Sequence, residues 1–115
     1  MPTSGRVLNR AVFTDPLSHE ELAADDVVQG RPTTGSTAVG SVAGAEVGIW
    51  EMTVGAARDT EVDEVFIVLS GRGSVHFEDG ESIDLSPGVA VRLSAGERTE
   101  WLVQETLRKV YVAAE

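Results

Sequence analysis

The strongest structural signal in this chain is the stretch Asp63-Glu-Val-Phe-Ile-Val-Leu-Ser-Gly-Arg-Gly73. An acidic pair leads into five consecutive apolar residues, and two glycines follow. A short apolar run bounded by glycines predicts a strand that is buried on both faces and closed by a tight turn. Such a strand belongs in the middle of a small β protein, and Glu64 stands where its apolar wall begins.

Length, composition and charge limit the class of protein. The 115 residues predict one domain, and 42% apolar residues are typical of a soluble globular protein. A formal net charge of -10 would repel a phosphate backbone or an anionic membrane surface, so neither nucleic-acid nor membrane binding is expected. The absence of cysteine excludes disulfides, cysteine-zinc sites and thiolate nucleophiles.

No targeting or membrane-spanning signal stands out in the sequence. Residues 1–6 lack the apolar core of a signal peptide, and no apolar run approaches the roughly 20 residues that cross a bilayer. A cytoplasmic location is therefore expected.

Residues 1–30 are predicted to form an N-terminal arm and one short helix. The segment Arg6–Phe13 is typical of an extended arm. Ser18 and Glu21 have the spacing of a capping box, which predicts about two helical turns through Leu22 and Ala24. Pro32 ends this helix, because proline disfavours helix in the residue before it.

Residues 31–115 are predicted to form a β-barrel. Weak strands between Thr33 and Val47, joined around Ala43–Ala45, precede a stronger strand at Val47–Val54 and a loop at Gly55–Thr60. After the central strand, turn signals separate short strands at Asp79–Gly80, Ser86–Gly88, Ser94–Gly96 and Gln104–Thr106. Short strands at this even spacing predict a sandwich or barrel.

This order of turns resembles the jelly roll of the cupin superfamily. The first cupin motif, Gly-x5-His-x-His-x3-4-Glu-x6-Gly, is matched in its last step by Glu64 and Gly71. The second, Gly-x5-Pro-x-Gly-x2-His-x3-Asn, is matched by Gly88 and Gly96, with Thr99 at the histidine position. The resemblance implies an all-β fold, a single-domain cupin jelly-roll barrel.

Four phrases resemble one branch of that superfamily, the small cupins similar to the cupin half of ureidoglycine aminohydrolases. They are Gly48–Glu51, Glu64–Gly71, Glu100–Val103 and Arg108–Val112. This resemblance covers residues 30–113. It implies a small-molecule site in the barrel and an enzyme of the ureidoglycine aminohydrolase type.

The chain departs from the metal site that the resemblance implies, which consists of two histidines, a glutamate and a third histidine. Counting back from Glu64 puts Arg58 and Thr60 at the first two positions, and Thr99 stands at the last. Arginine has no lone pair to give, and one carboxylate with two hydroxyls makes a poor transition-metal site. No cofactor is therefore expected, although a divalent metal stays possible with an incomplete ligand set that Glu61 or Asp63 would extend.

Strand alternation groups the candidate site residues. If Glu64 faces the lumen, Phe66 and Val68 face it too, whereas Val65, Ile67 and Leu69 face the other way. Thr99, Trp101 and Val103 likewise share one face of a later strand. The predicted site therefore has Glu64 and Arg58 as catalytic residues and Thr60, Phe66, Thr99 and Trp101 as ligand-binding residues.

Each of these residues also has a structural interpretation. Arg58 would grip a carboxylate and Glu64 would act as general base or acid, but the two would equally form an ion pair that closes an empty barrel. Trp50 and Trp101 would equally pack in the core. His76 is expected to be exposed or satisfied, and Arg92 is either a second pocket cation or a solvent-facing residue.

Three functions compete at this point. The barrel binds a small polar metabolite with a carboxylate or ureide-like group and acts on it, or it binds that molecule without turning it over, or it is a structural cupin dimer with a vestigial pocket. The apolar residues on both faces of the central strand also predict a homodimer.

Overall fold

The computed structural model describes residues 5–114 and confirms a nearly all-β barrel. Its strands are β1 (Glu20–Glu21), β2 (Val27–Gln29), β3 (Thr33–Val42), β4 (Ala45–Met52), β5 (Gly55–Thr60), β6 (Glu64–Phe77), β7 (Ser82–Leu85), β8 (Ala90–Leu93) and β9 (Arg98–Ala114), and one 3-10 turn covers Ala24–Asp26. Within these residues no helix is long and apolar enough to cross a membrane.

The long strand β9 organises the barrel. One of its edges pairs antiparallel with β6 along nearly its whole length, from Thr99 opposite Phe77 to Ala113 opposite Glu64. Its other edge pairs with β5 near the start and with β4 towards the end. Strands β1 and β3 extend the sheet beyond β4, β2 extends it beyond β5, and β7 and β8 pair with β6, so the sheet curls into a barrel.

The predicted glycine turn at the end of the central strand is wrong. Strand β6 continues through Gly71 and Gly73, with register shifts against β9 between Val68 and Gly73. Gly71 has a φ of 93°, and a Cβ there would meet the carbonyl oxygen of Thr106 on β9. The glycines therefore permit a bend and a close approach of two strands rather than a reversal of the chain.

Two further local predictions are also wrong. The turn predicted at residues 104–106 is a bend inside β9, because β6 remains paired with that strand on both sides of it. The loop predicted at Gly55–Thr60 is strand β5, held between β9 and β2. In both places pairing with neighbouring strands outweighs weak local β propensity.

The only helical segment in the described residues of this region is the 3-10 turn Ala24–Asp26. The prediction of two helical turns that begin at a capping box is therefore wrong. Glu20 and Glu21 instead form β1, paired with Thr34 and Thr33. The turn begins at Ala23, which makes no side-chain capping bond.

The arm is fastened to the outer face of the barrel through Arg108. Its guanidinium donates to the carbonyl oxygens of Val12 and Asp15 at 2.9 and 2.6 Å, and to the Glu51 carboxylate at 3.0 Å. Nε2 of His19 lies 2.6 Å from the other Glu51 oxygen. These contacts satisfy a buried cation and place the arm behind the strands that carry the lumen residues.

Strand alternation along β6 is confirmed. Phe66 and Val68 are buried in the core at 0% and 1% exposure, whereas Val65 and Ile67 remain 43% and 44% exposed on the outer face. Val112 of β9 lies beside Val65 on that face. The barrel therefore has an apolar interior and a partly apolar outer wall.

Candidate functional site

The barrel contains a half-open cavity of about 300 Å³, which is lined by residues of β3, β4, β5, the segment after β5, β6 and β9. The residues that matter for its chemistry are Trp50, Asp59, Glu61, Glu64, Trp101 and Lys109. In register, Trp50 of β4 lies opposite Lys109 of β9, and β6 contributes Glu64 and Phe66 from the other side. Three strands thus bring charged and aromatic side chains to one point.

Lys109 is the cation of this cavity. Its Nζ donates a 2.7 Å hydrogen bond to Oε2 of Glu64, and both side chains are buried, at 6% and 11% exposure. The same Nζ lies 4.6, 4.3 and 4.8 Å from the ring centroids of Trp50, Phe66 and Trp101. These distances fall within the range of cation–π attraction, so three rings and one carboxylate stabilise the ammonium.

Glu61 is a second buried acid, and its carboxylate is held by β9. Oε2 of Glu61 accepts hydrogen bonds from Oγ1 of Thr99 at 2.6 Å and from Nε1 of Trp101 at 3.0 Å. The two bonds fix the Trp101 ring, which packs 5.5 Å from Phe66 and 5.4 Å from Trp50 between ring centroids. Glu61 therefore orients the aromatic wall of the cavity.

Asp59 lies at the rim of the cavity, in register with Thr99. Burial, followed by the negative charge of Glu61, raises the pKa of Asp59 from 3.8 to about 6. The raised pKa brings this exposed rim carboxyl group towards the range in which a general acid or base works.

Tyr111 closes the cavity on the side of Glu46. Its hydroxyl donates to Oε2 of Glu46 at 2.7 Å. Burial and this hydrogen bond raise the pKa of Tyr111 above its ordinary range, so the phenol stays protonated. Gly48 makes room for the ring, because a Cβ there would meet the tyrosine hydroxyl.

The structure brings five of the six predicted site residues to the lumen or its rim. Glu64 and Phe66 contact Lys109, and Thr99 and Trp101 contact Glu61. Glu64 is the only acid among the six predicted site residues, and it lines the cavity.

Thr60 is exposed and lies at the rim of the cavity, whereas Arg58 is exposed and does not line it. The pairing that the sequence suggested is wrong, because within residues 5–114 no ion pair joins Arg58 to Glu64. The reason is strand alternation along β5: Ala57 and Asp59 pair with Trp101 and Thr99 and face inwards, so Arg58 faces outwards.

Arg58 instead lines an outer groove of about 730 Å³ at the end of the barrel. His76 also lines this groove, is exposed, and has its Nε2 2.9 Å from the hydroxyl of Ser74. Arg92 is exposed on the outer wall, in register with Val65. Of the two positions considered for Arg92, in the pocket or facing solvent, the structure shows the second. These three side chains lie outside the lumen cluster.

The lumen residues do not fit a transition metal. Within the described chain, no group of three or more His, Cys, Asp or Glu side chains lies close enough to hold a metal ion. The Glu64 carboxylate already holds the Lys109 ammonium, and that of Glu61 accepts two hydrogen bonds from Thr99 and Trp101. Imidazole or several converging carboxylates would be needed for a tight site.

Sequence reasoning missed Lys109 and Asp59. The signal for Lys109 was available, because Leu107, Lys109 and Tyr111 share one face of a strand and the outer two are apolar. Asp59 had no comparable signal, since its segment was interpreted as a loop.

Several solved structures share this fold. A protein of unknown function from Rhizobium leguminosarum bv. viciae 3841 is 30% identical, with 70% of this chain and 80% of that chain covered and a TM-score of 0.64. The EutQ protein of Clostridium difficile is 18% identical over 72% of this chain and 68% of its own, with a TM-score of 0.63. A putative ethanolamine utilization protein Q from Salmonella typhimurium LT2 is 20% identical over 88% of this chain and 97% of its own, with a TM-score of 0.61.

Sequence comparison gives the family. No curated protein matches the chain. The family model of the EutQ-like cupin domain matches residues 40–111, which is more than half of the chain and includes β4, β5 and β6, the Lys109–Glu64 pair and most of β9. The chain therefore belongs to the family of EutQ-like cupin domains.

Proposed function

We propose that the barrel cavity binds a small uncharged molecule with an amide or urea-like group, which contacts the Lys109–Glu64 pair and Asp59. The observation that carries this proposal is the buried Lys109–Glu64 pair, which lines the cavity. The Lys109 ammonium has three N–H groups and donates one of them to Glu64. A ligand carbonyl would accept from the ammonium while ligand N–H groups donate to the carboxylates.

The charge of the lining favours a neutral ligand over a carboxylate. Three acids, Asp59, Glu61 and Glu64, surround one ammonium. A carboxylate ligand would add a further negative charge in a partly buried site, where charge repulsion is stronger than in water. Of the two ligand groups expected from the sequence, the ureide-like one therefore has the better support, and Arg58 is not its partner.

The size of the cavity suits a small metabolite. A volume of about 300 Å³ corresponds to roughly ten water molecules, since each occupies about 30 Å³ in the liquid. An amide or ureide of several heavy atoms fits without a change in the barrel. We include a cytoplasmic location and a homodimer in this proposal, the latter through the outer wall around Val65.

A hydrolytic activity is the second candidate, and the pKa of Asp59 favours it. A carboxyl group with a pKa of about 6 would take a proton from an attacking water and return it to the leaving nitrogen. In that reaction the water oxygen bonds to the ligand carbonyl carbon, the C–N bond breaks, and ammonia or an amine leaves. In this reaction Glu64 would orient Lys109 rather than act as the base.

Binding is tested with ligands that differ in charge but hardly in shape. Propionamide and N-methylurea are expected to raise the melting temperature of the protein, whereas propionate is expected to leave it unchanged. At 100 times its dissociation constant a ligand adds about 2.7 kcal/mol of stability, which a thermal-shift assay detects easily. Equal shifts with propionamide and propionate, or a shift with propionate alone, would overturn the proposal.

Two variants test the site together, because Asp59 lines both the cavity and the outer groove, whereas Arg58 lines the groove and not the cavity. Asp59→Asn keeps the shape of the rim side chain but removes its titrating carboxyl group, so it is expected to abolish ammonia release from a bound amide and to weaken binding less than tenfold. Arg58→Gln, in the outer groove, is the control and is expected to leave both measurements unchanged. Loss of binding in Arg58→Gln would move the site to the groove.

A further inference from the structure

We infer that the Lys109 ammonium occupies a cation-binding cage built into the barrel, and that this cage binds a small primary ammonium ion once the lysine side chain is shortened. The cage consists of the Glu64 carboxylate and the rings of Trp50, Phe66 and Trp101. This inference is independent of the proposed function, because it concerns the cage itself and not the ligand of the unaltered protein.

The geometry of the cage sets the chemical class of its occupant. Nζ lies within 4.8 Å of all three ring centroids, and the ring faces attract a positive charge. The 2.7 Å bond to Glu64 requires an N–H donor. A primary ammonium satisfies both demands, whereas a quaternary ammonium offers no N–H and an alcohol of the same size carries no charge.

The cage also explains what the chain has in place of a metal. Glu64 is the carboxylate that the cupin resemblance assigns to a metal ion, yet here it holds an ammonium that arrives from the facing strand β9. A divalent ion would exchange its water ligands for one carboxylate and three aromatic rings, and such rings are poor metal ligands. The barrel thus supplies its own cation, and Lys109 takes the electrostatic place of the metal.

The test combines the variant Lys109→Ala with a small ion that replaces the side-chain atoms removed by the substitution. Alanine keeps Cβ, so the missing group is three carbons and the ammonium, which is n-propylammonium. We expect this ion to raise the melting temperature of Lys109→Ala by several degrees at millimolar concentrations and to leave the unaltered protein unchanged. Isosteric propan-1-ol and tetramethylammonium are expected to have at most a tenth of the affinity of n-propylammonium.

The double variant Glu64→Gln/Lys109→Ala is the matched control. It keeps the empty space and the three rings but lacks the carboxylate, and we expect it to bind n-propylammonium at least tenfold more weakly than Lys109→Ala does. If propan-1-ol and n-propylammonium stabilise Lys109→Ala equally, the space is only an apolar cavity and the inference fails. It fails as well if manganese or zinc stabilises Lys109→Ala as much as n-propylammonium does.

A second measurement covers the case in which Lys109→Ala does not fold on its own. Recovery of its folded circular dichroism spectrum in n-propylammonium, but not in propan-1-ol, would then support the inference, and no recovery would count against it. In the unaltered protein, ring currents should shift the ε-methylene protons of Lys109 upfield in the NMR spectrum. Ordinary shifts for these protons would refute the cage directly.

Discussion

Replacing Glu64 by glutamine is expected to destabilise the fold strongly, because it leaves a buried cation without its counter-charge. Glu64 and Lys109 are 11% and 6% exposed, with 2.7 Å between Oε2 and Nζ. Removal of one partner of a buried pair costs about 3–5 kcal/mol. The amide oxygen of glutamine and the three rings still solvate the ammonium in part, so we expect a loss of about 3 kcal/mol, at the lower end of that range.

The expected change in melting temperature follows from the size of the chain. The entropy of unfolding is about 2.1 cal/mol/K per residue, which gives about 0.24 kcal/mol/K for 115 residues. A loss of about 3 kcal/mol therefore corresponds to a decrease of about 12 °C. Scanning calorimetry measures this shift, and urea denaturation at pH 7 gives the free energy of unfolding independently.

A double-mutant cycle separates the ion pair from other effects. Lys109→Met removes the charge at similar length, and Glu64→Gln/Lys109→Met replaces both charges with neutral groups. Because a buried pair is costly to desolvate, the double variant is expected to be more stable than the sum of the single losses predicts, with a coupling energy of at least about 2 kcal/mol. Additive losses would refute the buried pair as the electrostatic centre of the barrel.

A surface pair serves as the control for this cycle. Glu78 lies 3.7 Å from Arg98, and both side chains are mostly exposed. Exposed pairs of this kind contribute only about 0–1 kcal/mol, so Glu78→Gln should change the melting temperature by a few degrees at most. A similar decrease in melting temperature in Glu78→Gln and Glu64→Gln would show that burial does not determine the cost of removing one charge of an ion pair.

Three further predictions concern the rim, the arm and the outer wall. The folded-state pKa of Asp59 is raised from 3.8 to about 6, so the contribution of Asp59 to the free energy of unfolding is complete below pH 4 and is lost as the pH rises to about 6. Asp59→Asn should remove this loss of stability from urea midpoints measured between pH 4 and 7. The control variant Asp84→Asn should still show it. Arg108→Gln removes the donors that hold the arm carbonyls and should speed amide hydrogen exchange at residues 9–16 at least tenfold, with exchange in β7 unchanged. Val65→Lys places a charge on the outer wall and should convert the proposed homodimer to a monomer in light scattering; an unchanged mass would exclude that wall as the interface.

The sequence was sufficient for the architecture and for the inward faces of two strands. The run around Phe66 and the turn residues after Phe77 predicted the order of β6, β7 and β8, since the turn signals at residues 79–80 and 86–88 are local. Alternation then assigned Phe66 and Trp101 to the interior, where both are buried. These predictions held because each rests on neighbours within a few residues.

The cation of the site was predicted at the wrong residue for a physical reason. Motif spacing placed Arg58 beside Glu64, but spacing counts residues and does not define which face of a strand they occupy. Once β5 pairs with β9, Asp59 turns inwards and Arg58 outwards. Whether Gly55–Thr60 is a loop or a strand depends on that long-range pairing, which no local pattern in the segment reveals.

The site depends on bends within β6 and β9, at positions where the sequence predicted turns between strands. Trp101 and Lys109 are eight residues apart on β9, so a straight strand would separate their Cα atoms by about 27 Å. The Lys109 ammonium nevertheless lies 4.8 Å from the Trp101 ring. Side chains of this length cannot cover that separation, and the bend of β9 near Thr106, closely packed on Gly71 of β6, brings them together. Gly71 allows this close packing and bend, and the ammonium cage therefore depends on the same residue as the barrel.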